Sequence, residues 1–274
     1  VSMLLHPAAF DAFCTLRALA PDGRCKTFDV GADGYGRAEG CGALMLEHRR
    51  VEERGALLRV LGCAVNQDGR SASFMAPNGT SQERVILDAL QPTGQASLDC
   101  AETHGTGTAL GDPIEVGALG RVLGSFAHAP PTLGAIKSQT GHAEGAAGML
   151  GLLKASVVLG LVTAPPNLHL LTPNPKLDTS FAPQMATQVT CMNRESVGVS
   201  SFGYTGTNSH VVSEAWFQRG LALGLRLAVL YHLEAFAWWS VGHSEAFLLG
   251  QHEVNSGSLG SDPHHVWELV WPSS

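Results

Sequence analysis

From Cys41 to Ser213, apolar runs of strand length alternate with segments of helix length, and this alternation narrows the possible folds most. Strands that are apolar at nearly every position, instead of at every second one, belong to a sheet covered on both faces. Cys41–Glu47, Leu57–Val65, Ser97–Glu102 and Leu133–Lys137 have that character, and Val197–Phe202 with Asn208–Ser213 reads as a closing strand pair. Between them lie helix signals. His48–Arg54 is a short charged helix stopped by Gly55. Thr80 and Glu83 form a T-x-x-E capping box opening a helix through Leu90. Asp112, Pro113 and Glu115 supply an N-cap, a proline at the first helical position and an acid in the first turn of a helix through Leu123. A long apolar helix covers Ala143–Leu159. Strand–helix alternation of this kind predicts a layered α/β fold around a buried sheet.

Composition agrees with a large core. Hydrophobic residues make up 45% of the 274 and charged residues 15%, against about 25% charged in ordinary globular domains. The net charge of -7, with no basic patch, gives nucleic-acid binding no electrostatic support. Six scattered cysteines with no C-x-x-C pair argue against zinc and against a disulfide framework. Reduced thiols and the lack of a signal peptide point to a cytoplasmic protein. A start at Val1 instead of methionine suggests a piece or a processed chain.

Composition also shifts near Trp216. All five tryptophans lie at or beyond it and all four lysines before it. We therefore divide the chain into a body, 1–215, and a tail, 216–274. Within the tail Gly220–Val241 is apolar, but Arg226, His232 and Glu234 interrupt it. A central charge costs about 2.5–3.5 kcal/mol on insertion scales, so we expect no membrane span there. An exposed amphipathic helix, or a stretch with no settled fold, is the expectation.

No dinucleotide fingerprint, phosphate-binding P-loop, H-E-x-x-H or G-x-S-x-G motif occurs. Two histidines on unusual backbone remain. His104 lies in Glu102-Thr103-His104-Gly105-Thr106-Gly107-Thr108, directly after an apolar strand, where open α/β sheets place ligands. Its glycines leave room for a thin substrate, and the threonine hydroxyls can bond amides. His142 lies in Lys137-Ser138-Gln139-Thr140-Gly141-His142-Ala143-Glu144-Gly145, at the start of the small-residue helix. A helix N-terminus disfavours imidazolium, and a neutral imidazole can donate one N–H to a developing oxyanion. Ser201-Phe202-Gly203-Tyr204-Thr205-Gly206-Thr207-Asn208 could add a backbone N–H and an aromatic gate. On pattern alone these stretches also suit a polar turn, a helix cap and a β-turn. Both histidines follow apolar strands and sit in glycine-rich surroundings, which predicts that His104 and His142 share one cavity.

Together the motifs resemble the β-ketoacyl synthases of the thiolase superfamily. The resemblance runs through Ala20–Asp29 (A-P-D-G-R-C-K-T-F-D), Ala32–Gly42, Ala64–Gly69 with Ala76–Gly79, Glu102–Glu115, Lys137–Gly148, Pro165–Pro175 and Ser200–His210. These stretches are collinear and cover nearly all of the body; A-V-N-Q-D-G and P-D-G-R-C-K look like modular polyketide synthases. The resemblance implies a thiolase-like layered α-β-α fold and a decarboxylative Claisen condensation. In such a reaction an acyl thioester is extended with a malonyl-type unit carried on the phosphopantetheine of an acyl carrier protein, in polyketide or fatty-acid synthesis, with no directly bound cofactor and no metal. It puts His104 and His142 at the two catalytic histidines and Lys137 at the lysine supporting the second. Thr106 and Thr108 match the threonines holding the phosphopantetheine arm. Tyr204 matches the position whose backbone N–H completes the oxyanion hole and whose ring gates the pocket.

One departure stands out. The family's nucleophilic cysteine sits in a T-A-C-S-S-S type motif before the A-P-D-G-R-C-K region, and no such motif occurs here. Cys14, Cys25, Cys41, Cys63, Cys100 and Cys191 fall in other contexts, so none inherits the role. The resemblance makes 1–55 the end of the first pseudo-symmetric half and 56–215 the second, so most of the first half is missing, the fold is incomplete, and the chain alone is not expected to condense acyl groups. The alternative is a non-catalytic remnant or scaffold, working as a homodimer or with a chain that supplies the missing half.

Overall fold

The structure is a computed structural model that describes residues 1–46, 58–69, 76–95, 98–124, 131–191 and 196–215. The chain divides into two compact units, Val1–Ala222 and Leu223–Ser274, and every described residue lies in the first. The helix expected at His48–Arg54, the apolar stretch Gly220–Val241 and the five tryptophans fall outside the described residues.

A short helix, α1 (Ala8–Thr15), precedes β1 (Leu58–Gln67), α2 (Gly79–Leu90), β2 (Cys100–Glu102), α3 (Gly111–Leu123), β3 (Thr132–Gly134) and α4 (Lys137–Thr140). The chain continues through α5 (Ala147–Leu161), β4 (Thr163–Ala164), β5 (Gln184–Met185), β6 (Thr190–Cys191), β7 (Ser196–Phe202) and β8 (Thr207–Ala215). Six strands form one mixed sheet in the order β1-β8-β7-β2-β3-β5. β1, β8 and β7 are antiparallel neighbours, whereas β7, β2, β3 and β5 run parallel. β4 and β6 pair separately.

Side-chain alternation across the strands explains the layers. Ala101, Phe202 and Val212 enter a core with Val85 and Ile86 of α2 and Leu119 and Val122 of α3. Cys100, Val197 and Val199 point the other way, onto Ala155, Val158 and Leu159 of α5. The fold is therefore the expected α-β-α sandwich, and β7 is buried on both faces. Gly148 and Gly151 let α5 approach closely: a Cβ there would lie 3.0 Å from Ser201 Oγ and 3.0 Å from Val199 Cγ1.

Four local expectations are corrected. Cys41–Leu46 is not a strand. Gly40 makes only an isolated bridge to Ser2, and Gly42 lies against Met149 of α5, so this stretch packs on a helix and pairs with no strand. Leu133–Lys137 is a strand only as far as Gly134, because side chains take over the backbone there. Asn167 accepts from the Ala135 N–H and donates to the Leu133 carbonyl, and Glu102 accepts from the Ile136 N–H. The chain turns, and Lys137 opens α4. His142 does not begin the long helix. A one-turn 3₁₀ segment, Glu144–Ala146, separates it from α5.

The fourth correction concerns helix caps. α2 is capped by Asn78, whose Oδ1 accepts from the N–H groups of Thr80 at 3.1 Å and Ser81 at 3.3 Å. Asn78 Nδ2 also donates to the Asp68 carbonyl at 2.8 Å. Glu83, the other half of the expected capping box, instead accepts from Arg121 of α3. Asp112 is likewise no cap, since α3 begins at Gly111 and the Asp112 carboxylate is used elsewhere. Asn78→Ala is expected to lower unfolding free energy by about 1 kcal/mol or more. Thr80→Ala, at an exposed position, should change it by less than about 0.5 kcal/mol. Urea denaturation of both variants checks the assignment; the reverse ranking would restore the capping box.

Candidate active site

The loop leaving β2 carries His104 and is held by two buried carboxylates. Glu115 Oε1 accepts from the His104 N–H at 2.7 Å and Oε2 from the Gly105 N–H at 2.9 Å. Asp112 accepts from the N–H groups of Gly107 at 3.1 Å and Phe28 at 2.9 Å, tying the loop to the N-terminal segment. Thr27 Oγ1 donates to the Gly105 carbonyl, and the Gly34 N–H to that of Gly107. Gly107 is required here: its φ is +77°, and a Cβ would lie 2.6 Å from the Lys26 nitrogen. Thr106 and Thr108 stand on this loop with hydroxyl oxygens 3.2 Å apart.

His142 is set by a different device. Its N–H donates to the Gly36 carbonyl and its carbonyl accepts from the Ala38 N–H, so residues 36–38 bracket it. The 5.3 Å between the two imidazole centroids places both histidines at one cavity, as their glycine-rich settings after apolar strands predict. The Phe202 N–H donates to His104 Nδ1 at 3.3 Å, and the Glu144 N–H to His142 Nδ1 at 3.0 Å. With Nδ1 an acceptor in each ring, the neutral imidazoles carry their protons on Nε2.

Both rings are held neutral. Burial drives His104 well below the ordinary histidine range, helped by the Lys137 charge and by His142. Burial also lowers His142 to about 3, assisted by the cations Lys137 and Arg37. The helix N-terminus expected to do this has no part in it, because α5 starts five residues later. Lys137 is itself buried, and burial lowers its pKa against the pull of Glu102 and Glu115. Asp112 is raised to about 6 by burial, and Glu115 moves the same way.

The cavity is about 960 Å³ and includes His104, His142, Thr106 and Thr108 in its wall. Its aromatic side is Tyr35, edge-on to His142 at 5.0 Å, and Phe13, edge-on to Tyr204 at 5.8 Å. Tyr204 is 40% exposed and sits in the turn between β7 and β8. Beside His104 stand the backbone N–H and the ring of Phe202, whose centroid lies 5.7 Å from the imidazole. Sequence reasoning misses the part Phe202 plays. The signal is its place as the last residue of an apolar strand, which continues the ladder up to the histidine. Sequence reasoning also misses Arg37 and Glu144, which meet near His142, since they lie 107 residues apart.

None of the cavity's lining residues is a cysteine among the described residues. All six thiols are free. Cys25 and Cys100 are buried, and burial pushes them up to about 11 and about 12, the reverse of nucleophile activation.

Comparison with known proteins fits this geometry. Residues 57–171 match the family model "Beta-ketoacyl synthase, C-terminal domain", and residues 1–51 match "Beta-ketoacyl synthase, N-terminal domain". The chain is 44% identical over 228 residues to the spectinabilin polyketide synthase system protein NorC of Streptomyces orinoci, covering 78% of this chain and 10% of that protein. It is 42% identical over 226 residues to the erythronolide synthase EryA3 of Saccharopolyspora erythraea, covering 78% of this chain and 7% of that protein. Among solved structures, the ketosynthase from module 6 of the Bacillus subtilis bacillaene synthase superposes with a TM-score of 0.75 at 34% identity, over 80% of this chain and 42% of that one. The oxazolomycin ketosynthase domain from Streptomyces albus gives 0.74 at 34% identity, over 78% and 40%. The chain thus spans a tenth or less of these two polyketide synthases and well under half of the solved ketosynthases. Sequence models for both domains and the shared fold agree that the chain belongs to the β-ketoacyl synthase family of the thiolase superfamily.

Proposed function

We propose that His104 and His142 promote decarboxylation of a malonyl-type thioester delivered on the phosphopantetheine arm of an acyl carrier protein. This step generates the nucleophile for a Claisen condensation in polyketide or fatty-acid synthesis. One observation carries the reading: two neutral imidazoles with Nδ1 engaged by backbone N–H groups face one cavity 5.3 Å apart. When the malonyl carboxylate leaves as carbon dioxide, the electron pair of the broken C–C bond enters the thioester enolate. Two Nε2–H donors stabilise the resulting oxyanion without any proton changing hands. The buried Lys137 cation disfavours imidazolium and so keeps each Nε2–H a neutral donor. Thr106 and Thr108 offer hydroxyls to the amides of the incoming arm, and Tyr204 stands at the cavity mouth.

Condensation proper needs more. The enolate carbon must attack an acyl thioester, with a thiolate as leaving group, and no described residue of the cavity supplies that thiol. The acyl-bearing cysteine therefore comes from outside these lining residues. A second reading, a scaffold that works only with a homodimer mate or a chain supplying the other half, has its own support. α5 leaves Val157 40% and Leu161 59% exposed, and Met45 and Leu46, close in sequence to Gly42, are exposed as well.

Two tests follow from this proposal. Given malonyl-loaded acyl carrier protein, the purified chain should release carbon dioxide and leave an acetyl thioester without forming a β-ketoacyl product. His104→Gln or His142→Gln should slow that release by about 10²–10³, the usual effect of losing one oxyanion donor. Acylation of any of the six cysteines with condensation product would overturn the division of labour, and absence of carbon dioxide release would favour the scaffold. The second test uses pH. A histidine kept neutral by burial binds its proton only in the unfolded state between its folded and unfolded values. For His142 that window runs from about 3 to 6.5, and stability falls as pH falls through it. Asp112 and Glu115, raised by burial, act in the opposite sense. The contribution is therefore read as the difference between wild type and His142→Gln in urea denaturation. The variant should gain on the wild type by up to ~1.4 kcal/mol per pH unit below about pH 6; parallel curves would contradict a neutral buried His142.

A further inference from the structure

Arg37 and Glu144 stand outside the residues assigned to the chemistry above, yet both reach His142. Arg37 Nε donates to Glu144 Oε1 at 2.6 Å and Nη2 to Oε2 at 3.1 Å, a two-pronged pair. The guanidinium is nearly buried, with a side-chain exposure of 5%. It is packed over aromatic rings, with Cζ 4.5 Å from the Phe10 centroid and 5.3 Å from that of Phe13. Glu144 has a φ of +42°, a left-handed backbone that a non-glycine residue adopts only when its surroundings impose it. The Glu144 N–H at the start of that turn donates to His142 Nδ1 at 3.0 Å.

We propose that Arg37 and Glu144 are a positioning pair that fixes the tautomer and protonation state of His142, a role that rests on the function proposed above for this site. The guanidinium fork holds the Glu144 carboxylate, the held carboxylate keeps the left-handed turn, and the turn keeps the Nδ1 bond that leaves the proton on Nε2. Arg37 also lies between Gly36 and Ala38, whose backbone brackets His142. The charged and titratable groups facing the imidazole are the cations Lys137 and Arg37, the His104 ring at 5.3 Å and the Tyr35 ring at 5.0 Å, and the Glu144 carboxylate is bound to Arg37. Removing Arg37 deletes one of two cations that oppose imidazolium and so favours the protonated ring.

Nitrogen NMR of the full chain labelled at histidine tests this without any thioester, so its outcome is separate from whether the chain decarboxylates anything. His142 is assigned by the signal lost in His142→Gln. In the wild type His142 should appear as one neutral form protonated on Nε2 between about pH 6 and 8. Arg37→Met should give a mixture of tautomers at His142 and raise its titration midpoint by at least about one pH unit. Arg37→Lys, which keeps the charge but lacks the fork, should mix the tautomers with a smaller rise in the midpoint. An Arg37→Met chain with the wild-type tautomer and midpoint at His142 overturns the proposal, as does a wild-type His142 protonated on Nδ1. If Arg37→Met unfolds, Glu144→Gln decides by the same readout: mixed tautomers support the pair, and an unchanged ring overturns it.

Discussion

The paired carboxylates at the start of α3 are the constraint on which the rest of the site depends. Glu115 takes the backbone N–H groups of His104 and Gly105, and Asp112 takes those of Gly107 and Phe28. One helical turn thereby holds both the histidine loop after β2 and the N-terminal segment. Four backbone donors that would otherwise be stranded in a dry interior are satisfied. The cost is two buried acids, visible as the upward shift of both. Lys137 offsets part of that cost from across the site, and its charge reappears as a cause of the lowered pKa of each histidine. Anchoring and electrostatic tuning are thus two consequences of the same buried network.

Much of this is legible in the amino-acid sequence. The continuously apolar strands point to a covered sheet, and β1, β2, β7 and β8 fall where their runs predict. The glycine-flanked histidines point to one cavity, and their rings meet there. Such features are local: a strand's burial and a loop's need for glycine are written in adjacent residues.

The features that mislead share the opposite cause. Asp112 and Glu83 look like local helix caps, but each carboxylate is taken by a partner far along the chain, Asp112 by Phe28 and Glu83 by Arg121. Asn167 and Glu102 end β3 from a distance and turn Lys137 into a helix. The Arg37–Glu144 pair spans 107 residues and leaves no periodic trace. The ladder of β7 carries the Phe202 N–H to His104, a contact that no local motif announces. Tertiary competition for a side chain cannot be seen in a short window of sequence.

The central claim is that two neutral Nε2–H groups converge on one oxygen. A crystal structure of the chain with an unreactive malonyl amide analogue of the pantetheine-borne extender tests it most directly. The account predicts the analogue's carbonyl oxygen within about 3.2 Å of Nε2 of both His104 and His142, with Nδ1 of each ring still facing its backbone donor. A carbonyl held by one imidazole only, or a ring turned to present Nδ1 to the ligand, would contradict it.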